Sequence, residues 1–248
     1  MTSPPVRPPH PPTEPPPTRW RLPDPAGAGE DDLLALGADL EPGTLLAAYR
    51  GGLFPMGVGE RGGPPLGWWS PLRRGVLEPG SVRVSRSLRR SLPTFTTTVD
   101  RAFDAVVAGC ADPSRSGAWI TPAVAAAYGR LHRLGWAHSI EVWRAGELVG
   151  GLYGLGVGGL FAGESMFHRA TDASKAALVR LDGIVAGDGD PRRIIDVQWR
   201  TDHLATLGVT EMARTDYLLR LSAAAACPEI DWRAAADDAA GDGGTAPG

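Results

Sequence analysis

Between Trp119 and Leu178 the apolar and polar positions of the chain read as a helix, three strands and a second helix. Thr121-Pro122 opens the first helix, Thr as N-cap and Pro at the first helical position; Leu131 and Leu134 lie on its later turns and Gly135 ends it. The runs His138–Trp143, Leu148–Leu155 and Leu160–Phe167 read as strands, the first two joined by a turn at Arg144–Glu147. Asp172 or Thr171 caps the second helix, which runs to about Ala186. The third strand carries an anomaly, because at period two Glu164 shares a face with Ala162 and Met166. Such a carboxylate either points to water from an edge strand or is a buried charge that needs donors, and buried charges concentrate at sites. Ile194–Trp199 repeats the pattern, with Asp196 and Gln198 on one side and Ile195, Val197 and Trp199 on the other. Three polar groups on two neighbouring strands make a polar pocket floor.

Upstream, Asp31–Leu36 predicts a short helical turn, and Thr44–Arg50 a helix set between Pro42-Gly43 and Gly51-Gly52. Residues 54–71, dense in Gly, Pro and aromatics, read as loop, and Trp68 and Trp69 suit a plug at a domain junction. Gly75–Val84 supplies a strand or two, Ser85 caps a basic helix, Phe95–Val99 is β-rich, and Asp100 caps a helix to about Cys110. After Trp199 come a short helix near His203–Leu207, a strand near Val209–Ala213 and a helix over Asp216–Ala226. Gly154, Gly156 and Gly159 match GxGxxG, but a strand follows where the dinucleotide fingerprint must open a helix, so they belong to a hairpin turn. The expected division is a disordered Pro-rich arm over 1–30, a small domain over 31–80, a catalytic domain over 81–232 and a disordered tail over 233–248.

Composition narrows the picture. The 248 residues are 43% hydrophobic and 21% charged, ordinary for a soluble globular chain, and no apolar run reaches the ~20 residues of a membrane span. Nor does the Pro-rich start have a signal peptide's apolar core, so a cytoplasmic protein is expected. Cys110 and Cys227 form no CxxC pair, and His132, His138, His168 and His203 show no metal-ligand spacing, which leaves these histidines structural or at the surface. The net charge of −3 conceals a basic stretch: Arg73, Arg74, Arg83, Arg86, Arg89 and Arg90 stand against the single acid Glu78. Arg86 shares a helix face with Arg89 and Arg90. That face is either solvated or a phosphate contact.

Taken in order, several motifs resemble one family. They are Leu34-Ala35-Leu36-Gly37-Ala38-Asp39-Leu40, Phe54-Pro55, Trp68-Trp69-Ser70-Pro71, Trp119-Ile120-Thr121-Pro122, His138–Trp143, Leu148–Gly154, Gly163-Glu164-Ser165-Met166-Phe167, Ala173-Ser174-Lys175 and Ile195-Asp196-Val197-Gln198. From about Asp31 to Leu221 the chain resembles the leucyl/phenylalanyl-tRNA–protein transferases. The resemblance implies an α+β protein, a small N-terminal domain followed by an acetyltransferase-like α/β sandwich with a mainly antiparallel sheet. It implies transfer of Leu or Phe from aminoacyl-tRNA to a protein with N-terminal Arg or Lys, which marks that protein for degradation. The ester is already activated, so neither ATP, metal nor another cofactor is implied, and the expected state is a monomer.

The residue roles follow from the same resemblance. Asp196 orients or polarises Gln198, which engages the attacking amine; a route in which an RNA hydroxyl carries the proton stays open. Glu164 holds the aminoacyl ammonium group. Met166 lines the side-chain pocket or is ordinary core, and Ser165 and Ile195 line the substrate. Arg86, Arg89 and Arg90 meet tRNA phosphates. Trp119 stacks on the terminal adenine opposite Met56, where the family usually carries Trp, with Trp69 as the substitute stack. His168 stands where the family usually has Ser. The rival activity is acyl-CoA-dependent N-acetyl transfer, whose RxxGxG/A-type pyrophosphate loop would fall at His168–Lys175, which lacks the glycines. A noncatalytic RNA-binding module would leave Glu164, Asp196 and Gln198 unexplained.

Overall fold

The computed structural model describes residues 7–115 and 118–241. β1 (Leu33–Leu36), β2 (Phe54–Gly57) and β3 (Leu66–Trp69) form a small antiparallel sheet ordered β1-β3-β2, with α1 (Pro42–Arg50) between its first two strands. A larger sheet contains β4 (Arg73–Leu77), β5 (Thr96–Val99), β6 (Ala137–Arg144), β7 (Glu147–Val157), β8 (Leu160–His168), β9 (Ile194–Gln198) and β10 (Thr210–Ala213). Its order is β10-β4-β9-β8-β7-β6-β5, antiparallel throughout except for the parallel pair β8 and β9. The protein is therefore α+β, a small N-terminal domain joined to a helix-flanked, mostly antiparallel sheet.

Period-two alternation separates two cores. Tyr153, Leu155, Leu160 and Ala162 face α1, α3 (Phe103–Cys110), α4 (Pro122–Arg133) and α7 (Arg214–Ala225), where Val106, Tyr128, Leu131 and Leu221 meet them. Leu152, Phe161 and Ile195 face α5 (Ala173–Val185) and α8 (Trp232–Gly241); α2 (Arg86–Ser91) and α6 (Asp202–Thr206) border that side. Thr121 caps α4 as expected, its side chain accepting the Val124 N–H, and Ser85 does the same for Leu88 in α2.

Several expectations are overturned. Asp31–Leu36 is not a helical turn and residues 54–71 are not all loop: Leu33 pairs with Trp69, and Phe54 with the same Trp69, so ladder bonds between distant segments override weak local signals. β4 belongs to the larger sheet, so the junction between the two units lies between Trp69 and Arg73, not at residues 80 and 81. Asp100 does not cap α3. With φ +55°, it accepts the Ser139 N–H at 2.9 Å and sits 2.7 Å from His138 Nδ1, which leaves Ala102 to precede the helix. Asp172 precedes α5 with φ +69° but makes no capping bond, accepting instead from Ser91 Oγ and Lys175 Nζ.

The predicted arm over 1–30 is in place from residue 7. Thr13 donates to Leu134 O at 2.7 Å, Trp136 Nε1 donates to Thr13 O, and Arg50 forks onto Glu14 at 2.6 and 2.9 Å. Proline presets an extended chain with little freedom left to lose, and the α4 carbonyls need donors. The predicted disordered tail instead contains α8, anchored by Trp232 stacked on His138 with ring centres 4.4 Å apart. Residues 1–6 and 242–248 of those two expectations lie outside the described residues. No described helix is long and apolar enough to cross a membrane.

Candidate active site

β8 and β9 run side by side only as far as Ala162 and Asp196. Just beyond that point β8 carries a bulge: Tyr153 pairs with Ser165 while Gly154 pairs with Gly163, so Glu164 is the extra residue. The bulge breaks the alternation expected from sequence. Glu164 and Ser165 both turn toward the α4 side, and Met166, paired with Leu152, turns toward α5. Glu164 thus shares a face with Ala162 but not with Met166.

The Glu164 carboxylate is buried and answered by hydroxyl donors. Tyr49 OH donates to Oε1 at 2.5 Å and Tyr128 OH to Oε2 at 2.8 Å, and the two hydroxyls also meet each other. Burial outweighs these bonds and pushes the Glu164 carboxyl up to about 7, with Asp196 adding to the rise and Arg74 opposing it. The water-facing, edge-strand reading of Glu164 is excluded.

Asp196 is fully buried and its carboxylate is saturated. Arg74 donates through Nε at 2.9 Å and Nη2 at 2.6 Å, Tyr217 OH donates at 2.9 Å and the Gln198 backbone N–H at 2.9 Å. Those four bonds fill the acceptor sites of a carboxylate. Asp196 therefore reaches Gln198 through its main chain, not its amide. Gln198 sits at φ +61° opposite Gly75, where β9 bulges against β4, and its Nε2 is buried with no partner among the described residues. Trp199, expected on the face opposite Asp196, packs edge-on against Phe54 at 4.9 Å, beside the Arg74 guanidinium that stands over the same Phe54 ring.

A cavity of about 230 Å³ lies where β8 and β9 part. Leu152, Leu178, Leu181 and Ile195 form an apolar floor, Glu164, Ser165 and Gln198 lie in its wall with Gly163, Met166 and Val197, and Thr201, His203 and Leu204 complete the lining. His203, read from sequence as structural or surface, belongs to this lining; burial, Lys175 and His168 lower its pKa. The cavity gathers Glu164, Ser165, Met166, Ile195 and Gln198.

It does not include Met56, Trp69 or Trp119, which are half-buried at the small sheet and its surroundings. Trp69 Nε1 donates to Met56 O at 2.9 Å, and its ring meets Trp199 edge-on. The β2–β3 connection reaches Trp119: a Cβ on Gly62, at φ +74°, would collide with Trp119 O. Arg115 donates to Cys110 O and Met166 O, tying the segment before Trp119 to β8. Arg86, Arg89 and Arg90 are exposed on α2 and form no ion pair among the described residues. Arg74, counted with them in the basic stretch, is instead the buried partner of Asp196.

Sequence reading missed Tyr49, Tyr128, Arg74 and Tyr217. The one available signal was indirect: a buried carboxylate demands donors, but their positions are set by packing. The α5 start bears on the rival activity. A pyrophosphate would lie there, and the Asp172 carboxylate stands at that end, held by Ser91 Oγ at 2.9 Å and Lys175 Nζ at 2.8 Å.

Two family models match the chain: one described as leucyl/phenylalanyl-tRNA protein transferase N-terminal domain over residues 38–72, the other as leucyl/phenylalanyl-tRNA protein transferase over residues 76–222. Three proteins named leucyl/phenylalanyl-tRNA–protein transferase are close relatives. That of Chromohalobacter salexigens is 53% identical over 76% of this chain and 73% of its own. That of Solidesulfovibrio magneticus is 48% identical over 82% of each. That of Shigella dysenteriae serotype 1 is 49% identical over 79% of this chain and 84% of its own.

Proposed function

This chain belongs to the leucyl/phenylalanyl-tRNA–protein transferase family, and from that premise we propose that it moves Leu or Phe from aminoacyl-tRNA onto the N-terminal Arg or Lys of a protein, marking it for degradation. It is an aminoacyltransferase. The observation that carries the site assignment is the cavity between β8 and β9, an apolar floor beside an ionisable carboxyl and an unpartnered amide. An apolar floor suits a Leu or Phe side chain, and the flexible Met166 thioether suits a pocket that accepts both shapes. The Glu164 oxygens each keep a lone pair beyond the tyrosine bonds, and they receive the aminoacyl ammonium group. No β8–β9 ladder bonds follow Ala162 to separate the carboxylate from the cavity.

The acceptor's α-amine, with a reference pKa of about 8, attacks the ester carbonyl; the new C–N bond forms as the C–O bond to the ribose breaks, and the hydroxyl leaves with a proton. Gln198 engages the amine. Asp196, without a free acceptor site, positions Gln198 and takes no proton. Whether the proton travels by Gln198 or by an RNA hydroxyl, the cavity supplies orientation. The adenine lies by Trp119, Met56 and Trp69, and the enzyme acts in the cytoplasm as a monomer. The test is direct: purified protein, Leu-tRNA and peptides beginning with Arg, Lys or Ala. Leucine is expected on the Arg and Lys peptides alone, whereas acetyl transfer from acetyl-CoA without leucine transfer would establish the rival.

Arg86, Arg89 and Arg90 touch tRNA phosphates without reading bases. Changing all three to Ala is expected to weaken binding of every tRNA alike and to flatten the logarithmic salt dependence by about 0.9 for each duplex phosphate no longer neutralised, as a filter-binding series over salt concentration measures. Unchanged affinity and slope would leave α2 a solvated face.

A further inference from the structure

We propose that Arg74 and Tyr217 are positioning residues for the transfer step, acting on Gln198 through Asp196; this rests on the transferase reading and extends it to two residues outside the cavity. Arg74 is 1% exposed, lies in the first strand after the small sheet and has no access to substrate. Its guanidinium is fixed from several sides. It donates to both Asp196 oxygens, Nη1 donates to Gly52 O at 3.2 Å, and Phe54 and Tyr217 cover it with ring centres 4.7 and 4.5 Å from Cζ. Tyr217 OH, from α7, closes the carboxylate's remaining side.

What this arrangement holds is the main chain of Gln198. A non-glycine residue at φ +61° needs a compensating contact, and here the contact is its own N–H on Asp196 Oδ1. β9 pairs with β4 on the other side of that residue, so the carboxylate, the bulge and Arg74, itself a β4 residue, form one unit. The unit sets the direction of an amide whose Nε2 has no protein partner among the described residues. A rotated carboxylate would release the N–H, let Gln198 relax toward an ordinary extended φ, and swing that amide away from the cavity.

Tyr217→Phe tests this with little disturbance, since the ring and its contact with Arg74 stay. With Leu-tRNA and an Arg-peptide, the variant is expected to lose about tenfold in kcat while KM for Leu-tRNA stays within about twofold. The cycle with Gln198→Ala separates positioning from mere stability: in the Gln198→Ala background, Tyr217→Phe is expected to have no further effect on kcat. Arg74→Lys, which keeps the charge and loses the fork, should behave likewise if it folds. Full kcat in Tyr217→Phe, or equal losses with and without the Gln198 side chain, would overturn the proposal. Loss of activity in Gln198→Ala alone would leave the transferase reading standing while removing Tyr217 from it, whereas a wild-type protein without leucine transfer would overturn the reading itself.

Discussion

Asp196→Asn is expected to unfold the protein at markedly lower denaturant and, in the fraction that folds, to slow leucine transfer more than it weakens tRNA binding. The pair it breaks is 0–1% exposed, so no water takes over from the lost charge. Removing the charge of one partner of such a pair costs roughly 3–5 kcal/mol, because the Arg74 guanidinium is left buried without a counter-charge, and the amide keeps one accepting oxygen but turns an NH2 toward a donor where the other oxygen stood. The loss in turnover follows from the contact on the Gln198 N–H, a backbone effect felt where the amine attacks. Urea unfolding gives the first quantity and single-turnover transfer below the unfolding transition the second. Unchanged stability would mean that the buried pair is not formed; unchanged turnover would take Asp196 out of the reaction.

The second large effect belongs to Glu164. Its carboxyl titrates near 7 in the folded protein against an ordinary 4.5, so between those values the folded state holds a proton that the unfolded chain has released. Native stability therefore falls as pH rises through that window, by roughly 1.4 kcal/mol for every pH step of about one, and the whole cost is present above 7. Glu164→Gln has no proton to lose. Wild type is expected to lose stability relative to the variant from below pH 4.5 to above 7, as paired urea titrations will show, and a constant difference would contradict the buried, tyrosine-held carboxyl. The same substitution bears on binding. Above pH 7 the ionised group receives the substrate's ammonium, and its replacement by a neutral amide is expected to weaken a leucyl-adenosine amide by about tenfold or more, the scale of a charged hydrogen bond.

The central sheet was legible because its signals are local. Thr121-Pro122 marks a helix start wherever it occurs, and the runs of β6, β7 and β8 are long enough for alternation to stand out. Glu164, Asp196 and Gln198 drew attention by being polar where the pattern was apolar. What sequence alone does not reveal is set by distant partners. β1, β2 and β3 are four residues each and pair across Gly- and Pro-rich connections, so nothing within any one of them marks a strand. The Glu164 bulge exists only in relation to β7, and it is the bulge that parts Glu164 from Met166. Arg74 looked like one of six arginines in a basic stretch; only the fold separates the one that enters the core from those that stay in solvent. The arm over residues 7–30 and α8 were misjudged for a related reason, since composition reports what a segment lacks for a core of its own and not whether a core already waits for it.

The most direct measurement uses three methionines, Met56, Met166 and Met212, as reporters. With ¹³C at their methyl groups, titration with a non-hydrolysable leucyl-adenosine amide gives a separate answer for each. The leucyl end in the cavity is expected to shift Met166, and the adenine beside Trp119 to shift Met56. Met212, on β10 with β4 and β9 between it and β8, should stay in place. Saturable binding that moves Met212 and leaves Met166 unshifted would contradict the cavity between β8 and β9 as the place where the aminoacyl group is held.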